Sequence, residues 1–282
     1  MKPKIIFIEG NPGSGKTTFA KRLEASLIDM GKTVKMFQEG DLHPIDLAWC
    51  AILDEVKYQQ VISDYPMLKD DLLRLTKKIN DNYVLAYTKV NHRLAPKSFY
   101  DSMGSYEIYR SETLAPFKDI HQKLWYDFSK NIEHDTIYIF ECVFIQNHIN
   151  ELILKYHLSN QAIFDYFMDL ITPLISLNPM LFFVEQKDVR QCISRVADER
   201  KTDDPAKFKD WIDLVIEYIE DTPYATKLGY TGYEGIIRYF KDRQALSLEL
   251  IKRLPISSTI LLLENNYDDL FKQMLDQVKS IL

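Results

Sequence analysis

The residues best suited to chemistry lie in one glycine-rich segment, Gly10-Asn11-Pro12-Gly13-Ser14-Gly15-Lys16-Thr17. Its spacing matches the pattern G-x-x-x-x-G-K-[ST], in which backbone N–H groups surround phosphate oxygens. The glycines can adopt backbone angles that other residues avoid, a lysine can contact the outer phosphates, and a threonine hydroxyl suits Mg²⁺. We therefore predict a site for a nucleoside triphosphate, taken as ATP, and Mg²⁺, built from Asn11, Pro12, Gly13, Ser14, Gly15, Lys16, Thr17 and Thr18.

The elements around this segment are those that the motif requires. An apolar run at Lys4–Glu9 predicts a strand buried on both faces. The spacing of Phe19, Leu23 and Leu27 predicts a helix from Thr17 to about residue 30. The N-terminus of that helix would place partial positive charge beneath a phosphate group. With a second strand at Thr33–Gln38, the opening is a parallel α/β unit.

Polar residues follow two of the predicted strands. Glu39, Asp41 and His43 come after the second strand, where a substrate binds in an open parallel sheet. Asp41 could instead cap a helix over about 45–62, a role that we prefer for Asp46. Glu141 ends the next buried strand, at Thr136–Glu141, and is a candidate Mg²⁺ ligand.

Further candidates follow the third and fourth strands. Gln146 could hydrogen-bond a substrate or cap the helix that follows. After a strand at Met180–Glu185, Arg195 and Arg200 are suited to stabilise a transferring phosphoryl group. Five-residue spacing puts these arginines on different helix faces, so both reach one pocket only if the helix ends or bends between them.

These elements predict an α/β fold. We expect a P-loop three-layer α/β/α domain over residues 1–282, with a five-stranded parallel sheet completed by Ser258–Leu263 and closed by a helix at Tyr267–Leu282. An α-rich insertion is expected at about 50–134, and a lid at about 187–205. Within the insertion, we expect helices at Leu68–Ile79 and Leu114–Ile132 and a surface loop at Lys97–Arg110.

Composition narrows the classes of partner. The net charge of −6 and the pI of about 5.6 argue against nucleic acid or an anionic membrane as a partner. No apolar run approaches the roughly 20 residues that span a bilayer. Three widely spaced cysteines, and a strand where a signal peptide would lie, lead us to expect a cytoplasmic protein. The oligomeric state stays open, a homodimer included.

The motifs and the order of elements resemble the nucleoside and nucleoside-monophosphate kinase family. The segment Ile8–Thr18 looks like the phosphate loop of deoxynucleoside kinases and thymidylate kinases. The strand leading to Glu39, with Trp49 ten residues later, is similar to the deoxynucleoside kinase segment whose glutamate acts as a base. The spacing between these two residues is longer than in the family.

Two further segments carry the resemblance. Glu141 stands where the family has the acid of a Glu-Arg-Ser or Asp-Arg-Tyr triplet, although Cys142 and Val143 follow it here. The segment 195–200 is similar to the arginine-bearing lid that closes over ATP, and the last strand and helix match the C-terminal ending of thymidylate kinases.

The resemblance implies in-line phosphoryl transfer from ATP to a small-molecule acceptor. Thr17 and Glu141 would hold Mg²⁺, and Lys16, Arg195 and Arg200 would stabilise the transferring group. Glu39 or Asp41 would deprotonate the acceptor hydroxyl. Two other classes stay open at this point: a nucleotide-driven ATPase or switch, and a phosphate-loop binding module without turnover.

Overall fold

The computed structural model describes residues 4–79, 81–264 and 266–282. The chain divides into two compact units. The larger unit comprises Met1–Met36 and Asn131–Leu282, and the smaller unit comprises Phe37–Lys130.

The bounds of the regular elements are as follows. The strands are β1 (Ile5–Gly10), β2 (Thr33–Phe37), β3 (Ala51–Leu53), β4 (Thr76–Ile79), β5 (Asn82–Leu85), β6 (Thr136–Glu141), β7 (Met180–Gln186) and β8 (Ser257–Leu263). The helices are α1 (Lys16–Asp29), α2 (Glu55–Asp64), α3 (Lys69–Arg74), α4 (Lys97–Gly104), α5 (Leu114–Asn131), α6 (Gln146–Asn150), α7 (Asn160–Ile171), α8 (Val189–Glu199), α9 (Trp211–Glu220), α10 (Pro223–Leu228), α11 (Gly232–Arg253) and α12 (Tyr267–Ile281).

The prediction of a five-stranded parallel sheet is confirmed. The strands lie in the order β2-β6-β1-β7-β8. Ile8 of β1 is in register with Glu141 of β6, and Glu9 is in register with Phe183 of β7. Because parallel strands share their carboxyl edge, the glycine-rich segment after β1 and the acid that ends β6 emerge at the same edge.

Helices cover both faces of this sheet, as a three-layer α/β/α arrangement requires. Ile6 and Ile8 are buried in one apolar cluster with residues of α1 and α12, among them Phe19 and Met274. Side chains alternate across a strand, so the intervening Phe7 points to the opposite face. Its ring lies 4.9 Å from that of Phe144, which in turn lies 5.5 Å from Phe167 of α7.

The smaller unit contains a sheet of its own. Strands β3, β5 and β4 form a three-stranded sheet in that order, and both pairings are antiparallel. Its apolar cluster includes Leu72, Leu85 and Phe99, all buried. The prediction of an α-rich insertion missed this sheet, because short strands carry little periodicity.

Three predicted elements of the smaller unit were wrong. Residues 45–50 are not helical, and α2 begins only after Asp54, whose side chain accepts a hydrogen bond of 2.7 Å from the backbone of Lys57. The helix predicted to reach Ile79 ends at Arg74 and gives way to β4. The stretch predicted as a surface loop contains α4, which buries Phe99 and Met103.

Asp46 does not cap a helix. Its Oδ1 accepts a hydrogen bond of 2.6 Å from the Tyr109 hydroxyl, and the side chain is buried. Tertiary pairing has therefore replaced the local capping role that the sequence suggested. Across the described residues, no helix combines the length and the apolar character that a membrane span needs.

Candidate functional site

The glycine-rich segment folds into a tight turn in which Gly13 and Gly15 have no room for a side chain. Gly13 has a φ of 76° and Gly15 a φ of 86°, both in the left-handed region. A Cβ at Gly13 would lie 2.7 Å from the backbone oxygen of Cys192 on α8. A Cβ at Gly15 would lie 2.5 Å from the ring of Tyr267 on α12. Helices α8 and α12 therefore press against the turn closely enough to exclude any side chain at these positions.

The turn is closed by its own polar groups. The backbone oxygen of Asn11 accepts a hydrogen bond of 2.9 Å from Lys16 Nζ and one of 3.2 Å from the backbone of Ser14. Lys16 is 6% exposed, so its charge is held inside the turn. The buried hydroxyl of Ser14 has no hydrogen-bond partner among the residues described. A buried hydroxyl and a confined ammonium group at a helix N-terminus are suited to an anionic ligand.

Two side-chain oxygens lie beside the turn. Thr17 Oγ1 donates a hydrogen bond of 3.2 Å to Oε1 of Glu141, which is 4% exposed. The parallel pairing of β1 with β6 brings them together, since it aligns the ends of the two strands. A hydroxyl and a carboxylate at this separation are hard oxygen donors of the kind that Mg²⁺ prefers. This donor set and the turn both fit the Mg²⁺ and triphosphate expected from the motif.

Glu9 is a buried acid that sequence reasoning missed. Its carboxylate accepts backbone hydrogen bonds of 2.7 Å from Phe144 and 3.1 Å from Gln146. Burial raises the pKa of Glu9 from 4.5 to about 7, and the backbone hydrogen bonds and the charge of Lys16 offset only part of that rise. An acid inside an otherwise apolar strand, next to the first glycine, was the available signal.

The same contact positions Gln146. Its backbone N–H is held by Glu9, while its side-chain Oε1 is buried without a hydrogen-bond partner in the part of the chain described. Gln146 is the first residue of α6 and its side chain makes no capping hydrogen bond to the described backbone, so the capping alternative was wrong. The role toward a substrate stays a prediction.

Of the two predicted arginines, Arg195 contacts the turn. Its Nη2 donates hydrogen bonds of 2.7 Å to the backbone oxygen of Gly13 and 2.6 Å to the Tyr267 hydroxyl. Helix α8 ends between the two arginines, at Glu199. The guanidinium of Arg200 instead lies 5.3 Å from the ring centre of Trp211.

A polar network from α11 surrounds the start of the turn, and nothing in the sequence pointed to it. Arg243 Nη2 and Nε lie 2.6 and 3.1 Å from Oδ1 of Asn11. The amide nitrogen of Asn11 donates a hydrogen bond of 3.0 Å to the backbone oxygen of Phe240. Gln186 Nε2 donates one of 2.7 Å to the backbone oxygen of Pro12.

The other predicted substrate residues belong to the smaller unit. Glu39 Oε1 accepts a hydrogen bond of 2.9 Å from the indole of Trp49, so the residue pair that the sequence singled out is in contact. Asp41 accepts a backbone hydrogen bond of 2.8 Å from Gln38 and pairs with Lys89 at 3.1 Å. Asp41 thus has a turn-stabilising role.

His43 is buried and electrically neutral. Its Nδ1 accepts a hydrogen bond of 3.2 Å from the backbone of Ile45, and its ring meets that of Phe37 edge-on at 5.2 Å. Burial lowers the pKa of His43 to about 4, against the opposing effect of Asp46 and Asp41. A histidine in this state can donate or accept a hydrogen bond but carries no charge at neutral pH.

No protein-family model matches the chain, and a comparison with curated proteins finds no similar sequence. Inference about function therefore starts from the glycine-rich turn, Glu141 and Arg195.

Proposed function

We propose that this chain is an ATP-dependent phosphotransferase of the P-loop class, transferring the γ-phosphoryl group of ATP to a hydroxyl or phosphate group of a small molecule. One observation carries the proposal. Thr17 Oγ1 lies 3.2 Å from Glu141 Oε1, beside the confined ammonium group of Lys16 and the buried hydroxyl of Ser14. Oxygen ligands for a metal next to donors for a phosphate are what phosphoryl transfer requires.

The residues of the turn have distinct parts in this proposal. Residues 11–18 would hold the phosphates of ATP, and Thr17 with Glu141 would hold Mg²⁺, directly or through water. Mg²⁺ would supply positive charge that neutralises the phosphates. Lys16 and Arg195 would stabilise charge on the transferring group, since both already lie against the turn. Arg200 would join them only after leaving Trp211.

Glu39, Asp41 and His43 stay predicted acceptor residues because they follow the second strand in the sequence. Glu39 is the candidate base, as the resemblance to deoxynucleoside kinases implies, and Asp41 is the alternative. The buried Oε1 of Gln146 can accept a hydrogen bond from a substrate hydroxyl. Neutral His43 would serve as a hydrogen-bonding group. A net charge of −6 favours a small acceptor over nucleic acid.

The test is ATP consumption with and without a panel of nucleosides, nucleotides, sugars and aminoglycosides. Lys16→Ala should lower turnover by at least about 100-fold, the scale for loss of one group that stabilises transition-state charge. Lys21→Ala, an exposed change on the same helix, is the matched control and should leave turnover unchanged. Glu39→Gln should abolish transfer but retain ATP binding.

Two outcomes would contradict the proposal. Absence of ATP binding to the folded wild-type protein would refute a nucleotide site altogether. ATP hydrolysis that no acceptor stimulates, and that Glu39→Gln leaves intact, would identify a P-loop ATPase or regulatory protein instead.

A further inference from the structure

Arg243 is a buried arginine far in sequence from the glycine-rich turn. It lies on α11 and is 3% exposed. Its Nε and Nη2 both approach Oδ1 of Asn11, at 3.1 and 2.6 Å, and its Nη1 lies 2.8 Å from Oδ1 of Asn150. Three N–H groups of one guanidinium thus donate to two side-chain amides. Such charge-assisted bonds are about twice as strong as those between neutral groups.

Asn11 is the residue through which this arginine reaches the turn. It is 1% exposed, and its amide nitrogen donates to the backbone oxygen of Phe240, also on α11. Both ends of the Asn11 side chain are therefore fixed by one helix. Because the side chain cannot rotate, the backbone oxygen of Asn11 keeps a defined direction.

That backbone oxygen is the one that holds Lys16. It accepts the hydrogen bond of 2.9 Å from Lys16 Nζ and also the bond of 3.2 Å from the backbone of Ser14. A shift of Asn11 would move the acceptor of both bonds. The contacts run from Arg243 through Asn11 to the ammonium group of Lys16.

We infer that Arg243 is a positioning residue that sets the shape of the glycine-rich turn and the place of Lys16 through Asn11. The part of this inference that concerns ATP rests on the proposed function. The part that concerns the turn does not, because it is argued from contacts within the protein alone. Arg243 is linked to Lys16 through Asn11, whose side chain it holds and whose backbone oxygen accepts the hydrogen bond from Lys16.

The experiment compares Arg243→Met, Asn11→Ala and the double variant with wild type. Arg238→Met is the matched control, since Arg238 lies on the same helix but donates its hydrogen bond, of 2.6 Å, to the backbone oxygen of Leu228. The first readout is hydrogen exchange of the peptide spanning residues 10–18 in the full chain. The second is the affinity for a fluorescent ATP analogue with Mg²⁺.

We expect both single changes to speed exchange in this peptide and to weaken ATP affinity about tenfold, the effect of losing one strong polar contact. The double variant should show no faster exchange and no lower ATP affinity than the more strongly affected single variant, because the two residues act as a unit. The control should match wild type. Arg243→Lys keeps the charge but has one donor nitrogen where arginine uses three, so its exchange should be faster and its ATP affinity lower than in wild type, by less than in Arg243→Met. It serves if Arg243→Met does not fold.

Unchanged exchange in residues 10–18 of folded Arg243→Met or Arg243→Lys would overturn the inference. Faster exchange with unchanged ATP affinity would overturn the part of the inference that concerns ATP. If wild type binds no ATP, the proposed function fails, while the exchange data still decide whether Arg243 positions the turn.

Discussion

Replacing Glu9 by glutamine should change how the stability of the larger unit depends on pH. The folded-state pKa of Glu9 is raised to about 7 from an ordinary value of 4.5. Between these two values the folded protein binds more protons than the unfolded chain, so this group makes the free energy of unfolding fall as pH rises. The difference between the two pKa values corresponds to about 3 kcal/mol of the free energy of unfolding, and this contribution is fully lost above pH 7.

Glutamine cannot titrate, so Glu9→Gln removes this dependence. It also places an amide N–H₂ near a backbone N–H that donates to Glu9, which costs about 1–3 kcal/mol at every pH. Below pH 4.5 wild type should therefore be the more stable protein. Between pH 4.5 and 8 the difference should shift by about 3 kcal/mol in favour of the variant.

The assay is urea unfolding at several values of pH, followed by circular dichroism and by tryptophan fluorescence so that separate transitions of the two units are recognised. Glu249→Gln, an exposed acid on α11, is the control and should run parallel to wild type. A wild-type minus Glu9→Gln difference that stays constant over this pH range would refute the reasoning, because it would mean that Glu9 ionises in the folded state as it does in the unfolded chain.

Two further changes test the packing of each unit by urea unfolding. Gly13→Ala should destabilise the larger unit by more than Gly31→Ala. Both positions have positive φ, which costs an alanine about 1–2 kcal/mol. A Cβ at Gly13 would also lie 2.7 Å from the backbone oxygen of Cys192, whereas a Cβ at Gly31 would meet open space. Equal losses of stability in the two variants would contradict the close approach of α8 to Gly13. Trp125→Phe should destabilise the smaller unit by about 1–3 kcal/mol, because the buried indole N–H donates a hydrogen bond of 2.8 Å to the backbone oxygen of Ile45 that phenylalanine cannot make. Exposed Tyr126→Phe is its control, and equal stability of the two variants would contradict that role.

The elements that sequence could predict are those whose evidence is local. The strands that lead to Glu141 and to the glycine-rich turn are continuous apolar runs, so their type and order followed from their composition and from the glycine and polar residues that end them. The nearness of Glu141 to the glycine-rich turn followed from the rule that ligands bind beyond the carboxyl ends of parallel strands. The helix end between Arg195 and Arg200 was one of two alternatives that spacing left open.

The elements that sequence could not predict depend on partners far along the chain. Arg243 is one of several polar residues on a long amphipathic helix, and only the fold brings it to Asn11. The strands of the smaller unit are three or four residues long, too short for period to distinguish them from helix. Asp46 looked like a cap because local signals ignore Tyr109, which lies 63 positions away.

The close approach of α8 and α12 to the glycine-rich turn has a consequence for the order of assembly. Gly13 packs against Cys192, and Gly15 against Tyr267, which follow it by more than 170 and 250 residues. During synthesis the turn leaves the ribosome long before the two helices that contact it. The turn is therefore translated well before it can be completed, and no nascent fragment that stops before α12 can hold it in its final shape.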